Sequence, residues 1–325
     1  MSVTPGWQVK LIQRIKPQKI LISFFYFDGM PDEKIDALLT IVKENNINLM
    51  VDSGIFSLKQ KYGKGIFSLG TSHASLTPAE QAETIQKYRA DFSRYDEFRN
   101  RYLNFLTKYG NRINWAVDLD VDQFLGIDTA EEWYQDILKV FPSKRLLRVW
   151  HANRSFKEWE DWCKSGDFTY LAIEGAGSHG YDPDFYQPFI DCAHANGVRV
   201  HILAMTAEDM LRRCDYDTGD STTYQVGARY GQIMTPWGFI YFSEKNEGAG
   251  KDNYFYLPEP EKKAITELLE ENGFSVEAMM ESNYSNTQKS AAGIERSAWN
   301  MFYQEKYLGS VRAVRRESEL TLFDL

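Results

Sequence analysis

Cysteine is scarce in this chain. Its 325 residues include only Cys163, Cys192 and Cys214, widely spaced and odd in number. Such a set builds neither a disulfide framework nor a paired-cysteine zinc motif, and it points to a reducing, cytoplasmic setting. Also missing is any run of about 18 apolar residues, which excludes an obvious membrane-spanning helix. The first residues lack the basic-then-apolar layout of a secretory signal. No low-complexity tract interrupts the chain. Positive charge is in deficit too: the net charge is −9. Composition therefore gives no global support for nucleic-acid binding, which would have to rely on a local basic patch.

What is present is a hydrophobic fraction of 43%, enough for one large α/β domain. Apolar or alternating runs at 19–27, 48–54, 113–121, 146–151, 169–177, 198–205, 217–220 and 237–243 read as strands. Between them lie stretches at helical spacing, among them 32–45, 129–140, 155–164 and 184–195, and Thr77-Pro78-Ala-Glu80 has the form of a helix start. Eight strands alternating with helices predict a (β/α)8 TIM barrel over residues 1–245. A doubly wound open sheet is the alternative, but no Gly-x-Gly-x-x-Gly follows the first strand. Residues 246–325 read as a mostly helical C-terminal appendage packed on the barrel, ending near Arg312, Arg315 and Arg316.

Carboxylates at predicted strand ends carry the chemistry. The segment 217–224 contains Gly219-Asp220-Ser221, a short turn that places Asp220 at a strand mouth before a helix. Its plain reading is a helix cap, with Asp220 or Ser221 as the capping side chain. A second such turn, Asp52-Ser53-Gly54, ends the strand 48–54. Two aspartates so far apart in sequence are what a barrel with its site on one face would supply. Asp118 and Asp120 close the strand 113–121, where buried carboxylates need partners. Glu174-Gly175 opens a Gly-rich turn that permits close backbone approach, to a flat ligand or simply to itself. Lys59, Lys61 and Lys64 follow Asp52 in what reads as a flexible loop, by default a solvated one, with phosphate contact as the functional reading.

At Asp52-Ser-Gly-Ile-Phe56, Asp220-Ser-Thr-Thr-Tyr224 and Gly227-Ala-Arg-Tyr-Gly231 the chain resembles the guanine transglycosylase superfamily. That superfamily includes tRNA-guanine transglycosylases and the phage and bacterial DpdA-like relatives that act on DNA with 7-deazaguanines. The resemblance implies Asp220 as nucleophile, Asp52 as general acid/base, and Asp120, or failing it Asp118, as a ligand of the exchanged base. Ser53, Gly54, Phe56, His151, Glu174, Gly175, His201 and Ser221 complete the expected substrate-binding set, although Glu174 stands where the family has glycine. The tRNA enzymes carry a C-terminal zinc site of clustered cysteines and a histidine. No cysteine follows Cys214 here, which favours DNA over tRNA as acceptor and a free 7-deazaguanine as the second substrate. No cofactor or metal is expected, and a phage-encoded chain would act in the host cytoplasm.

Base exchange at a nucleoside needs a nucleophile for the anomeric carbon, an acid for the departing base, and a flat pocket. Phe56, Trp150 and Tyr224 are candidates for stacking on a flipped base. A barrel glycoside hydrolase using the same acid pair, or a catalytically silent nucleic-acid-binding barrel, are the rival readings. Because the cysteines lack ligand spacing, elemental analysis of purified protein is expected to find no stoichiometric zinc.

Overall fold

The computed structural model describes residues 2–3, 8–62, 77–175, 180, 182–242, 252–280 and 290–308. Eight parallel strands follow one another in sequence order in a single sheet. They are β1 (Ser2–Val3), β2 (Lys19–Ser23), β3 (Asn48–Asp52), β4 (Trp115–Val117), β5 (Leu146–Trp150), β6 (Tyr170–Ile173), β7 (Arg199–Ile202) and β8 (Thr218–Gly219). Helices connect most neighbours, so the arrangement is a TIM-like (β/α) repeat. No β1–β8 pairing is found among the described residues.

Both faces of the sheet are buried. Leu21, Met50, Val117, Leu147, Val149, Tyr170 and Ala172, one or two from each of β2 to β6, form one apolar cluster. Ile20, Ile22, Leu49 and Val51, which alternate with them, are buried as well. This is why the strands read as continuous apolar runs rather than as alternation. The helix Asp32–Glu44 buries Ile35, Leu38, Leu39 and Val42, a stripe at helical spacing. Thr77 and Glu80 form a capping box at the start of Pro78–Arg89.

The chain packs as two compact units. The first comprises residues 1–5 and 19–220, and the second residues 6–18 and 221–325. The second unit thus begins at Ser221, not at residue 246, and draws in the N-terminal helix Gln8–Ile15. The expected last barrel strand needs the same correction. Residues 237–243 do not join the parallel sheet. Instead β9 (Gln232–Thr235) and β10 (Gly238–Tyr241) pair antiparallel, with Phe239 opposite Met234 and Ile240 opposite Ile233. The turn between them is held by Thr235, whose hydroxyl donates to the Gly238 carbonyl at 2.8 Å and accepts from the Trp237 amide at 3.2 Å. Among the described residues, no helix is long and apolar enough to cross a membrane. Arg312, Arg315 and Arg316 lie outside the described residues.

Inside the second unit, the helix Ala291–Tyr303 works through two buried polar residues one turn apart. Arg296 donates to the carbonyls of Ala228 (3.3 Å) and Met279 (2.7 Å). Asn300 accepts from the Met234 amide at 2.7 Å and donates to the Tyr224 and Gln232 carbonyls at 3.1 Å each. It thereby ties the hairpin to the helix Thr223–Arg229. Removing the amide strands three buried backbone groups, each worth about 1 kcal/mol or more when left unpaired. Asn300→Ala is therefore expected to destabilise the second unit by about 3 kcal/mol, read as a lowered midpoint in urea unfolding.

Candidate active site

The carboxylates gather where the parallel strands end. Asp52 is the last residue of β3, Asp118 and Asp120 follow β4, and Asp220 follows β8. His151 comes just after β5 and Glu174 just after β6, while His201 lies within β7. All of these sit at or beyond the carboxyl ends of their strands except His201, which points back from inside β7 to Asp220.

Gly54 sets the exit from β3. Its φ of +78° is left-handed, and a Cβ there would lie 2.5 Å from the Phe25 amide nitrogen. The tight turn lets the Gly54 amide donate to Asp52 Oδ2 at 3.0 Å. The buried Ser53 hydroxyl donates to Asp120 Oδ1 at 3.1 Å. Asp52 and Asp120 are thus held by consecutive residues of one turn. Burial pushes the Asp52 carboxyl up to about 7; Asp120 and Asp220 add to the rise, with the Gly54 amide and Ser23 hydroxyl opposing it.

Asp118 is buried, and its Oδ1 accepts from the Val149 amide at 3.3 Å. Burial, and then Asp120, push its carboxyl well above the usual range, with Arg148 opposing. Asp122 behaves oppositely, and sequence reasoning passed over it. Burial alone would raise it, but His151 and Arg154 outweigh burial and hold it at about 2. Arg154 Nε donates to Asp122 Oδ2 at 2.7 Å. His151 lies between two carboxylates: Nδ1 is 2.8 Å from Asp122 Oδ1, an ion-pair contact without hydrogen-bond direction, and Nε2 is 3.4 Å from Asp120 Oδ2. Burial works against its charge, yet the two aspartates keep the imidazole well above its ordinary pKa. Its place is in this ion network. An aspartate two residues before a hydrophobic pair is too common a pattern to have marked Asp122 in sequence.

Glu174 accepts from the Gln123 side-chain amide at 2.8 Å and from the Ala152 backbone amide at 3.0 Å. Gly175 is there for packing: a Cβ would meet the Leu203 carbonyl oxygen at 2.0 Å. That backbone contact between the ends of β6 and β7 accounts for the glycine without a ligand.

The lysine loop is corrected. Residues 55–62 form a helix, Ile55–Tyr62, with Ile55 and Leu58 buried. The Lys- and Gly-rich composition hid this short apolar stripe. Lys59 turns inward rather than to solvent. Its ammonium lies 5.3 Å from the Phe124 ring centroid and 5.9 Å from that of Tyr88. Burial lowers its pKa, and Asp120, Asp122 and Glu174 oppose the fall. Lys61 and Phe56 are exposed on the same helix, Phe56 by 63%. Lys64 lies outside the described residues.

Two of the expected stacking aromatics are not available to a base. Trp150 is buried against Phe189 (centroids 4.5 Å) with its indole N–H donating to the Ser155 carbonyl, and Tyr224 is fully buried in the second unit. Ser221 belongs to that unit too, where its hydroxyl accepts from the Thr223 amide at 2.9 Å and opens the helix Thr223–Arg229. Ser221 thus turns the chain just ahead of that helix, whose N-cap residue is Thr222. Asp220 is held from the other side: Oδ1 accepts from the Ala204 amide at 2.8 Å and lies 3.2 Å from His201 Nε2. Among the described residues, no group of three or more His, Cys, Asp and Glu side chains is arranged to hold a metal ion.

No family model and no curated protein matches this chain. Among solved structures it is similar to a family 1 b-glucosidase from Thermotoga maritima, with 10% identity, a TM-score of 0.33 and coverage of 60% of this chain. The chain spans under two thirds, 64%, of that neighbour's length.

The charge arrangement yields a pH test. The Asp52 carboxyl titrates at about 7 in the folded protein against an ordinary 3.8. The native state then holds this proton more tightly than the unfolded chain does, so stability is lost as pH rises through that interval. Asp52→Asn mimics the protonated acid at every pH. The variant and the wild type should have similar thermal midpoints near pH 4, with the variant pulling ahead by pH 7 and the gap flat above it.

Proposed function

We propose that this protein is a base-exchange transglycosylase of the guanine type, built on a (β/α)8 barrel, that replaces guanine in DNA with a 7-deazaguanine. The observation that carries the reading is the division of labour between two carboxylates. Burial, and then the charges of Asp120 and Asp220, raise the Asp52 carboxyl to about 7. Asp52 can then serve as an acid at neutral pH beside Asp220 as nucleophile, the pairing that glycosidic chemistry uses.

In the first half-reaction an Asp220 oxygen forms a bond to the anomeric carbon. The glycosidic C–N bond breaks with its electron pair leaving on guanine, and Asp52 gives that base a proton. In the second half, the Asp52 carboxylate takes a proton from the incoming base. The freed nitrogen then bonds to the anomeric carbon, and Asp220 departs as a carboxylate. Asp120, which accepts from Ser53 and faces His151, takes a hydrogen-bond donor of the base in this reading. Exposed Lys61 and Phe56 give the helix after β3 a cation for phosphate and a ring for stacking.

Incubation with guanine-labelled DNA or tRNA, with and without a 7-deazaguanine, tests the reading directly. Wild-type protein should release guanine from DNA over many turnovers only when the incoming base is present, and without it should release at most one guanine per enzyme while forming a denaturant-resistant protein–DNA species. Asp220→Asn should form none. Asp52→Asn should slow guanine release by at least about 100-fold, the scale of a lost general acid. Exchange into tRNA alone, or repeated turnover of guanine release with no incoming base, would overturn the assignment.

A further inference from the structure

His201 stood among the expected substrate ligands, but its ring nitrogens are both occupied by protein. Nδ1 lies 2.7 Å from Thr218 Oγ1 and Nε2 lies 3.2 Å from Asp220 Oδ1. Thr218 Oγ1 is in turn hydrogen-bonded to the Tyr170 hydroxyl. The Tyr170 ring stands edge-on to both the His201 and the Trp115 rings, and Tyr170 belongs to the apolar cluster within the sheet. A line of hydrogen bonds therefore runs from that core, through neighbouring β7 and β8, to the carboxylate at the end of β8.

We propose that His201 is a positioning residue for Asp220, held as the Nε2–H tautomer by Thr218 and Tyr170. The direction of each bond follows from donor chemistry. An ionised carboxylate can only accept, so the hydrogen between His201 and Asp220 belongs to Nε2. In a neutral ring that makes Nδ1 an acceptor, which takes the Thr218 hydroxyl hydrogen. The Thr218 oxygen then accepts from Tyr170.

A second donor reaches the same Asp220 oxygen from an independent source. The Ala204 amide approaches Oδ1 at 2.8 Å, and Ala204 adopts a left-handed φ of +52°. A non-glycine residue is uncommon in that region and is held there against a backbone cost. A side-chain donor and a strained backbone donor thus converge on one oxygen, which fixes the carboxylate plane. Nucleophilic attack on a sugar carbon is sensitive to that angle, and a misplacement of about 1 Å can cost about 100-fold in rate.

The proposal rests on Asp220 being the nucleophile, and the test separates the two ideas. His201→Phe keeps a ring and loses the donor, whereas His201→Gln keeps an amide N–H near the Nε2 position. Thr218→Val removes the hydroxyl that fixes the tautomer and covers the case in which His201→Phe fails to fold. In single-turnover formation of the DNA adduct, His201→Phe should be slower by about 10- to 100-fold, the value of one hydrogen bond to a charged group. KM for DNA should be unchanged in all three variants, with His201→Gln recovering most of the rate and Thr218→Val falling between. Proton–nitrogen correlation spectra of the wild-type histidine should show the Nε2–H tautomer, and those of Thr218→Val a mixture. Wild-type adduct formation matched by His201→Phe, or an Nδ1–H tautomer in the wild type, would overturn the positioning role and leave the nucleophile intact. A wild type that forms no adduct at all would remove the nucleophile, and this role with it.

Discussion

Like-charge repulsion at the carboxyl ends of the strands is the constraint on which the rest of the first unit depends. Asp52, Asp118, Asp120, Asp122, Glu174 and Asp220 converge there. So many carboxylates cannot all stay ionised in a partly dry pocket without either cations or protons. The fold supplies both. His151 and Arg154 neutralise Asp122, Lys59 leans in from the helix after β3, and Asp118 and Asp52 are driven toward their acid forms. One cluster thus holds carboxyl groups in different protonation states, and that difference is what proton-transfer chemistry at neutral pH requires.

The parallel sheet was legible in the sequence because burial on both faces leaves uninterrupted apolar runs, as at Ile20 to Ile22 and Leu49 to Val51. Asp52 stood out because it opens a small-residue turn directly after such a run, and Asp220 because it sits in a Gly-Asp-Ser turn. Other features left no local trace. The two residues of β1 are too few to show a period, so the first strand was missed. Residues 237–243 have the apolar content of a barrel strand, and only the Thr235 hydroxyl contacts reveal a hairpin turn before them. The inward turn of Lys59 and the pairing of Asp122 with Arg154 are tertiary facts: Lys59 meets Tyr88 and Phe124, 29 and 65 positions on, and Asp122 meets Arg154, 32 positions on. A lysine beside glycines reads as solvated until the aromatic rings that receive it are known.

The second unit uses another economy. Arg296 and Asn300 are polar, fully buried and bonded to backbone carbonyls and amides. Backbone groups exist at every residue, so sequence pattern carries no information about which of them a buried amide will choose. The sequence pattern predicted helix within residues 246–325, and nothing in it marked Arg296 or Asn300 for burial.

Ala204 has a bearing on design. Anyone grafting this carboxylate pair onto another barrel would copy the side chains first, yet the amide that grips Asp220 comes from a main-chain bend just past β7. An idealised loop, with every non-glycine residue in a relaxed conformation, would swing that N–H away and leave the carboxylate to be solvated by water. The transferable unit is therefore the β7–β8 pair together with its irregular connection, and the backbone irregularity is as much a part of the chemistry as the acid it holds.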